Sequence, residues 1–593
     1  MVKGVKKAVP ISAMIGTLLL TQVSWATTAP VNHQATAGAQ KVVPEPAAQT
    51  QTLQTEPAQP LLSESSQAAQ PLLTSAPETG ITALALSEVS GKIRSEVPAA
   101  TKLVYSDALT KLYAEHQLQP LWTDEKARLS LENQLAEAAL AGFQPQFALW
   151  LTALAQPDLT PLARDIILTD AALGYLYYLD NVKVKGDKWL YGAKPFTFSE
   201  VSAPALARLN TAMHNGTLAT FTDGLLPVNS MYPAMRKAML AELADTAVWP
   251  EMVIARTLRP GESHESVIAL REILHRFKLI SANDMMSASP VYDKTLVAAV
   301  KQFQSQHGLE ADGVIGKQTR EWLNKTPQMR AAIMAANIQR LHIVPDNVPT
   351  AILVNIPDFS LYFYVDKNLI LESRTIVGRE ARKTPIMSSA LNNVVINPPW
   401  TVPPTMIRQD IVPRGRADPS YFSSRGYTIY NGWSNNSSVV DPYSINWSVI
   451  TPSNFPYRIT QAPGPTNSLG RYKFNMPNSE AIYLHDTPNH SLFNKNMRAI
   501  SSGCVRVNKA KDLAAILLGD AGWDTSRVDG ALKAGSTRYV SIPDRIPVFL
   551  YYQTAWVNTD NVPQYRADIY RYDDASLNGL DKLADISPFL IKQ

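Results

Sequence analysis

The residues best suited to chemistry are a single cysteine and a histidine that precedes it by 19 positions. Cys504 is the only cysteine among 593 residues and lies in the segment Ile500–Val507, whereas His485 lies in the segment Ile482–Pro488. A thiolate is a strong nucleophile, and an imidazole is its usual activating base. Strands joined by a loop can bring such residues face to face. The two segments therefore predict a nucleophile with its base.

Two neighbours of the thiol fit the same chemistry. Gly503 lets the backbone turn sharply, so that N–H groups can point at an oxyanion. Arg506 carries a planar fork of donors that suits a carboxylate. A buried structural role is the commoner one for a lone cysteine, so both interpretations stay open from these residues alone.

The rest of the composition excludes several function classes. One cysteine rules out an internal disulfide, an iron–sulfur cluster and a cysteine-based zinc site. The absence of His-Glu-x-x-His, Gly-x-Ser-x-Gly and Ser-x-x-Lys patterns argues against a bound metal and against the familiar serine mechanisms. We expect no cofactor. The formal net charge of +4 is too small to indicate nucleic acid but suits a carboxylate-bearing partner.

The N-terminus predicts export. Three lysines within the first seven residues precede the uncharged, mostly apolar stretch Val9–Val23, and Ser24–Ala26 offers a cleavage site. We predict a signal peptide over 1–26, with an uncleaved membrane anchor as the alternative. Residues 27–98 contain no aromatic residue, which predicts a disordered linker. In an oxidising compartment an unpaired thiol favours the reactive role for the cysteine.

Three folded regions follow the linker. The first carries apolar residues at helical spacing, as in Leu162–Val182, and the third begins with alternating strands such as Phe359–Val365. A long polar insertion in the third region is typical of a functional lid. The predicted boundaries are 99–258 for a helical scaffold domain, 259–326 for a three-helix module, 350–557 for a β-rich domain with its insertion at about 407–459, and 558–593 for a polar tail.

The segment Ala299–Thr319 resembles the peptidoglycan-binding domain, a small three-helix module. It contains a turn at Asp312-Gly313, a tight backbone position at Gly316 and a helix start near Thr319. The resemblance implies that the module binds the cell wall or serves as a spacer.

The segment from His485 to Arg506 resembles the signature of the L,D-transpeptidase (YkuD-type) catalytic domain, a histidine followed by Ser/Thr-x-Gly-Cys-x-Arg. Ala462–Gly470 and Tyr472–Phe474 match the strands that precede it. From about residue 100 onward the chain resembles the large periplasmic L,D-transpeptidases of the YcbB type in Gram-negative bacteria. Many members have histidine immediately before Gly-Cys, where this chain has Ser502, which leaves His485 as the base.

This resemblance implies an α+β multidomain protein with a mixed β-sandwich core, a capping insertion, a helical scaffold and the wall-binding module. It implies a periplasmic, carbapenem-sensitive enzyme of cell-wall biogenesis and cell shape that joins a donor tetrapeptide stem to an acceptor stem of peptidoglycan through 3→3 cross-links. Other cell-wall synthesis proteins are possible partners. An L,D-carboxypeptidase, lipoprotein attachment to the wall and a non-catalytic wall-binding scaffold remain alternatives.

The resemblance also assigns roles within the site. Cys504 is the nucleophile and His485 the base, with support from the backbone at Asp486. Ser502, Gly503 and Cys504 are expected to form an oxyanion hole and its supporting turn. Tyr483 and Arg506 are expected to contact the substrate. Trp433 is expected to cover the stem peptide, and ordinary packing is an equal alternative for this residue.

Overall fold

The computed structural model describes residues 85–434 and 436–591. The predicted signal peptide and most of the predicted linker lie outside the described residues. One part of the linker prediction is wrong, because Leu86–Glu96 forms helix α1. Val89 and Ile93 lie one helical turn apart and are both buried, so this segment packs against the domain. None of the described helices combines the length and the apolar character needed to cross a membrane.

The first domain is helical, as predicted. Several of its helices begin with a side chain that accepts a backbone N–H from the first turn, such as Asp124, Thr160 and Ser202. Its remaining helices are α2 (Ser106–Glu115), α3 (Glu125–Ala141), α4 (Pro145–Leu154), α5 (Pro161–Trp189), α6 (Ala203–His214), α7 (Leu218–Asp223) and α8 (Tyr232–Leu243).

The module that follows is built around a buried glutamine. Gln304 accepts the Gly313 N–H at 2.8 Å and donates to the carbonyl of Val314 at 3.0 Å, which fixes the predicted turn. Its helices are α9 (Val267–Arg276), α10 (Ala282–Met285), α11 (Lys294–Gln306) and α12 (Lys317–Leu323). Helix α13 (Pro327–Arg340), which falls between the predicted boundaries at 326 and 350, then runs almost entirely buried toward the β-rich domain.

The β-rich domain contains one large mixed sheet within the described residues. The strands of this sheet and of the smaller sheets are β1 (Ala351–Asn355), β2 (Ser360–Val365), β3 (Asn368–Gly378), β4 (Met387–Ile396), β5 (Trp400–Thr401), β6 (Tyr427–Tyr430), β7 (Val439–Val440), β8 (Arg458–Gln461), β9 (Tyr472–Asn475), β10 (Leu484–His485), β11 (Ala499–Ser501), β12 (Val505–Val507), β13 (Arg538–Tyr551), β14 (Ala555–Val557) and β15 (Pro563–Tyr565). The order in the large sheet is β11-β3-β12-β10-β9-β4-β13-β1-β2, and β2 also pairs with β3, so that the sheet closes on itself. Helices α17 (Ala510–Asp520) and α18 (Thr525–Ala534) complete the domain.

The insertion is a small subdomain with its own core. Strands β5, β8, β6 and β7 form a second sheet, so the ordered insertion extends from 400 to 461 rather than from 407 to 459. Ile411, Phe422 and Ile459 are almost fully buried in a cluster separate from the main core. Its helical segments are α14 (Pro404–Met406), a π-helical turn (Ile407–Ile411), α15 (Val412–Ala417) and α16 (Ser420–Ser424).

The C-terminal segment from 558 to 591 packs into the molecule, although its polar composition suggests a peripheral tail. It contains β15 and the helices α19 (Ser576–Leu580) and α20 (Leu583–Ile591). Ile586 and Phe589 are buried in the main core, and Arg340 of α13 forms an ion pair with Asp573 at 2.6 Å. The chain therefore returns from the β-rich domain to the helical one.

Replacing Gly579 by alanine should destabilise the protein, because a Cβ atom there would lie 2.1 Å from the carbonyl oxygen of Leu140 in α3. We expect a loss of about 1–3 kcal/mol in the free energy of unfolding, as for other overpacked sites. Gly530→Ala is the control, since it lies in α18 with nothing within 4 Å, and alanine favours a helix over glycine by up to about 1 kcal/mol. Thermal unfolding measures both variants. Equal midpoints would contradict the close approach of the C-terminal segment to α3.

Candidate active site

Cys504, the candidate nucleophile, lies in a turn between two strands that flank β3. β11 runs parallel to β3, and β12 runs antiparallel to it on the other side, so residues 502–504 cross the end of that strand. Gly503 adopts φ of +120°, a conformation open mainly to glycine. The Ser501 hydroxyl donates to the Cys504 carbonyl at 2.7 Å and accepts the Gly503 N–H at 3.1 Å. These bonds fix the turn.

Strand pairing puts His485 on the strand next to the one that follows Cys504. β10 runs parallel to β12, with Leu484 opposite Val505 and His485 opposite Arg506. Side chains alternate between the faces of a strand, and paired residues share a face. Leu484 and Val505 are fully buried in the core. His485 and Arg506 therefore share the opposite face with the residues two positions earlier, Tyr483 and Cys504.

The histidine ring is held by the backbone. Its Nδ1 lies 2.5 Å from the carbonyl oxygen of Asp486, and since a carbonyl only accepts, Nδ1 carries the proton and Nε2 is free to act as a base. Burial lowers the pKa of His485 to about 3, with the positive charges of Arg506 and Lys473 acting in the same direction. The imidazole is therefore neutral at physiological pH.

The thiol is protonated in the resting state. Burial raises the pKa of Cys504, while the Tyr483 backbone N–H and side chain and the charges of Lys473 and Arg506 oppose that rise. The thiol lies 3.8 Å from the carbonyl of Ala481, and no hydrogen bond joins it directly to the His485 ring in the described part of the chain. The resting pair is thus a neutral thiol and a neutral imidazole.

Two cations make the site electropositive. The Lys473 ammonium lies 4.2 Å from the centre of the Tyr483 ring, and Lys473 is opposite His485 on β9. The Nε atom of Arg506 is buried without a hydrogen-bond partner. Neither side chain forms an ion pair among the described residues, so the site can accept a carboxylate or stabilise a thiolate. Sequence reasoning missed Lys473, although it lies within the matched segment Tyr472–Phe474.

The remaining predicted residues have different surroundings. Ser502 accepts a hydrogen bond from Arg382 at 3.0 Å, and Arg382 forms an ion pair with Asp410 of the insertion at 2.5 Å. Ser502 thus links the turn to the insertion. The Gly503 N–H is already committed to Ser501, whereas the Cys504 N–H has no hydrogen-bond acceptor among the described residues and is open to a substrate. Trp433 is 54% exposed on the insertion, and no ring contact joins it to the residues described around the thiol.

Known protein families match most of the folded chain. The L,D-transpeptidase catalytic domain (YkuD) matches residues 349–534, a scaffold domain matches 107–239 and a "Putative peptidoglycan binding domain" matches 263–323. A protein of Haemophilus influenzae named "Putative L,D-transpeptidase" is 35% identical over 493 residues, which cover 83% of this chain and 82% of that protein. The chain belongs to the L,D-transpeptidase family. The matched domains identify a transpeptidase enzyme associated with peptidoglycan.

Two solved L,D-transpeptidase structures are also similar. Those from Xylanimonas cellulosilytica and Stackebrandtia nassauensis show 14% and 13% identity, each with a TM-score of 0.17. Each match covers 51% of this chain, and 100% and 97% of the respective structure. At such low TM-scores they add nothing about the fold of this transpeptidase.

His485→Ala should slow acylation of the enzyme by at least about two orders of magnitude, because general acid–base help is typically worth ~10²–10⁴-fold. His490→Ala is the control. That ring is exposed and lies 3.2 Å from an Asp486 carboxylate oxygen, an interaction of small energy at a surface. Stopped-flow acylation in one buffer compares the two variants. A larger loss at His490 would mean that His485 is not the base.

Proposed function

We propose that this protein is a cysteine L,D-transpeptidase that forms 3→3 cross-links between peptidoglycan stem peptides. The observation that carries the proposal is the β10–β12 register, which puts the neutral His485 on the same sheet face as Cys504. Lys473 and Arg506 carry positive charges near the thiol and form no ion pair among the described residues, which supports an anionic, carboxylate-bearing substrate.

In the first half of the reaction, His485 Nε2 takes the proton of the thiol as the sulfur attacks a carbonyl of the donor. That carbonyl belongs to the diaminopimelate residue that precedes the terminal D-alanine of a tetrapeptide stem. The open N–H of Cys504 donates to the oxyanion. The C–N bond then breaks, His485 returns its proton to the departing amine, and D-alanine leaves a thioester on Cys504.

In the second half, the side-chain amine of another stem attacks the thioester. His485 accepts the proton of that amine, the C–S bond breaks, and the thiol is restored with its proton. Water as acceptor would give an L,D-carboxypeptidase, and an amine of a lipoprotein would give attachment to the wall. The insertion, which is linked to the turn through Arg382 and Ser502, favours a large peptide acceptor over water.

The proposed place of action is the periplasm, where peptidoglycan stems are accessible. The predicted signal peptide and the matched peptidoglycan-binding domain at 263–323 support it. Tyr483 and Arg506 would contact the donor stem, and Trp433 would contact a substrate only after the insertion closes.

Cys504→Ala should abolish 3→3 dimer formation while leaving the unfolding midpoint near that of the wild type, because the change removes the nucleophile from a partly exposed position. Mass spectrometry of muropeptides after incubation with sacculi measures the products. New dimers support the cross-linking activity, whereas tripeptides alone would indicate a carboxypeptidase. Dimers made by the Cys504→Ala variant would exclude the thioester mechanism.

A carbapenem should add to the protein once, at Cys504, because its strained lactam carbonyl resembles the donor carbonyl. Intact-protein mass spectrometry should show a single adduct that is absent from Cys504→Ala, and peptide mapping should place it on residue 504. An adduct on a serine would contradict the thiol mechanism.

A further inference from the structure

The orientation of the Cys504 N–H depends on the Gly503 carbonyl, which belongs to the same peptide unit. The Gly503 carbonyl and the Cys504 N–H belong to one peptide, and in a trans peptide these two groups point in opposite directions. The Gly503 carbonyl accepts a hydrogen bond from the Thr384 hydroxyl at 2.7 Å. The Cys504 N–H is consequently directed away from Thr384.

The hydroxyl that holds this carbonyl is itself fixed. Thr384 is fully buried, and its oxygen accepts the N–H of Gly378, at the end of β3, at 2.8 Å. Because the oxygen accepts that bond, its single hydrogen is available for the Gly503 carbonyl. The loop from 378 to 384 thus closes on the turn that carries the nucleophile.

A tyrosine from the C-terminal segment ties both ends of that loop. The Tyr570 hydroxyl donates to the Gly378 carbonyl at 2.6 Å and accepts the Thr384 N–H at 3.0 Å. The ring is 1% exposed. The loop residue Lys383 also donates to the Tyr570 carbonyl at 2.8 Å. No described contact joins Tyr570 to the Cys504 thiol, so any effect of Tyr570 on the thiol passes through the 378–384 loop.

Tyr570 is held in turn by the rest of its segment. Its N–H donates to the Tyr552 hydroxyl at 3.0 Å, and that hydroxyl donates to Asp568 at 2.5 Å. The Asp573 N–H donates to the Asp568 carboxylate at 2.6 Å, and the Asp573 carboxylate pairs with the buried Arg340 of α13 at 2.6 Å. Helix α13 and the turn that carries Cys504 are therefore joined by a continuous series of polar contacts.

We propose that Thr384 and Tyr570 are positioning residues that aim the Cys504 N–H at the oxyanion of the acyl-transfer reaction. The inference rests on the proposed function, because only attack on a carbonyl generates that oxyanion. Donors of an oxyanion hole work because they are oriented before the charge develops. A loosened Gly503 peptide would slow acylation without changing the nucleophile itself.

The test compares two reagents on the full chain. A carbapenem must form an oxyanion, whereas iodoacetamide alkylates a thiol by direct displacement and needs none. Thr384→Val removes the hydroxyl and should slow carbapenem acylation by at least about tenfold, part of the ~10²–10³-fold lost when such a donor is removed outright. Thr384→Ser keeps the hydroxyl and should restore most of the rate. Alkylation by iodoacetamide should stay close to the wild-type rate in both variants.

Tyr570→Phe should give a smaller, selective loss of acylation, and Tyr572→Phe is its matched control. Tyr572 lies in the same segment, and its ring contacts Lys383, but its hydroxyl makes no hydrogen bond within the described structure. If Thr384→Val fails to fold, as judged by thermal unfolding, the comparison of Tyr570→Phe with Tyr572→Phe tests the proposal.

Three outcomes would overturn the inference. Unchanged acylation in Thr384→Val and Tyr570→Phe would show that the carbonyl contact does not matter, while the proposed function would stand. Equal slowing of both reagents would indicate general damage to the thiol environment. A wild-type enzyme that the carbapenem does not acylate would overturn the proposed function, and this inference with it.

Discussion

The active site depends on the parallel pairing of two very short strands. β10 and β12 meet through one apolar pair, Leu484 with Val505, and one polar pair, His485 with Arg506. The apolar pair is fully buried, which fixes the register, because a shift of one residue would turn the histidine and the arginine into the core. The same register places Cys504 on the face of the imidazole. Burial of two aliphatic side chains thus aligns His485 with Cys504, the proposed catalytic pair.

Two cationic side chains near His485 and Cys504 set the charge of the site. Lys473 and Arg506 are partly buried without an ion-pair partner in the described structure, an arrangement that costs free energy unless another group compensates. Their charges, together with burial, keep His485 neutral and oppose the effect of burial on the thiol of Cys504. A base that is already neutral can take the thiol proton at once. An anionic substrate would supply the missing counter-charge.

The domains are joined to the site by buried polar contacts rather than by a flexible tail. Arg340 of α13 pairs with Asp573, and the same C-terminal segment supplies Tyr570 to the loop beneath the catalytic turn. The same loop also carries Arg382, which contacts Ser502 of the turn and pairs with Asp410 of the insertion. The scaffold and the insertion can therefore both influence one peptide unit, although neither supplies the nucleophile or its base.

The sequence by itself determined the enzyme family, the α+β class, and Cys504 and His485 as the candidate pair, because short motifs and strand or helix periodicity are local properties. It did not indicate α1 or the buried C-terminal segment. Polar residues such as Asp573 suggest an exposed segment, and only the structure shows that Asp573 is largely buried against Arg340. The tautomer of His485, the commitment of the Gly503 N–H and the positions of Lys473 and Thr384 were decided only by the tertiary structure. Lys473 and Thr384 reach the site through strand pairing and a contact across the chain. The His485 and Gly503 hydrogen bonds are made to near neighbours, but they require the backbone conformation that the folded strands impose.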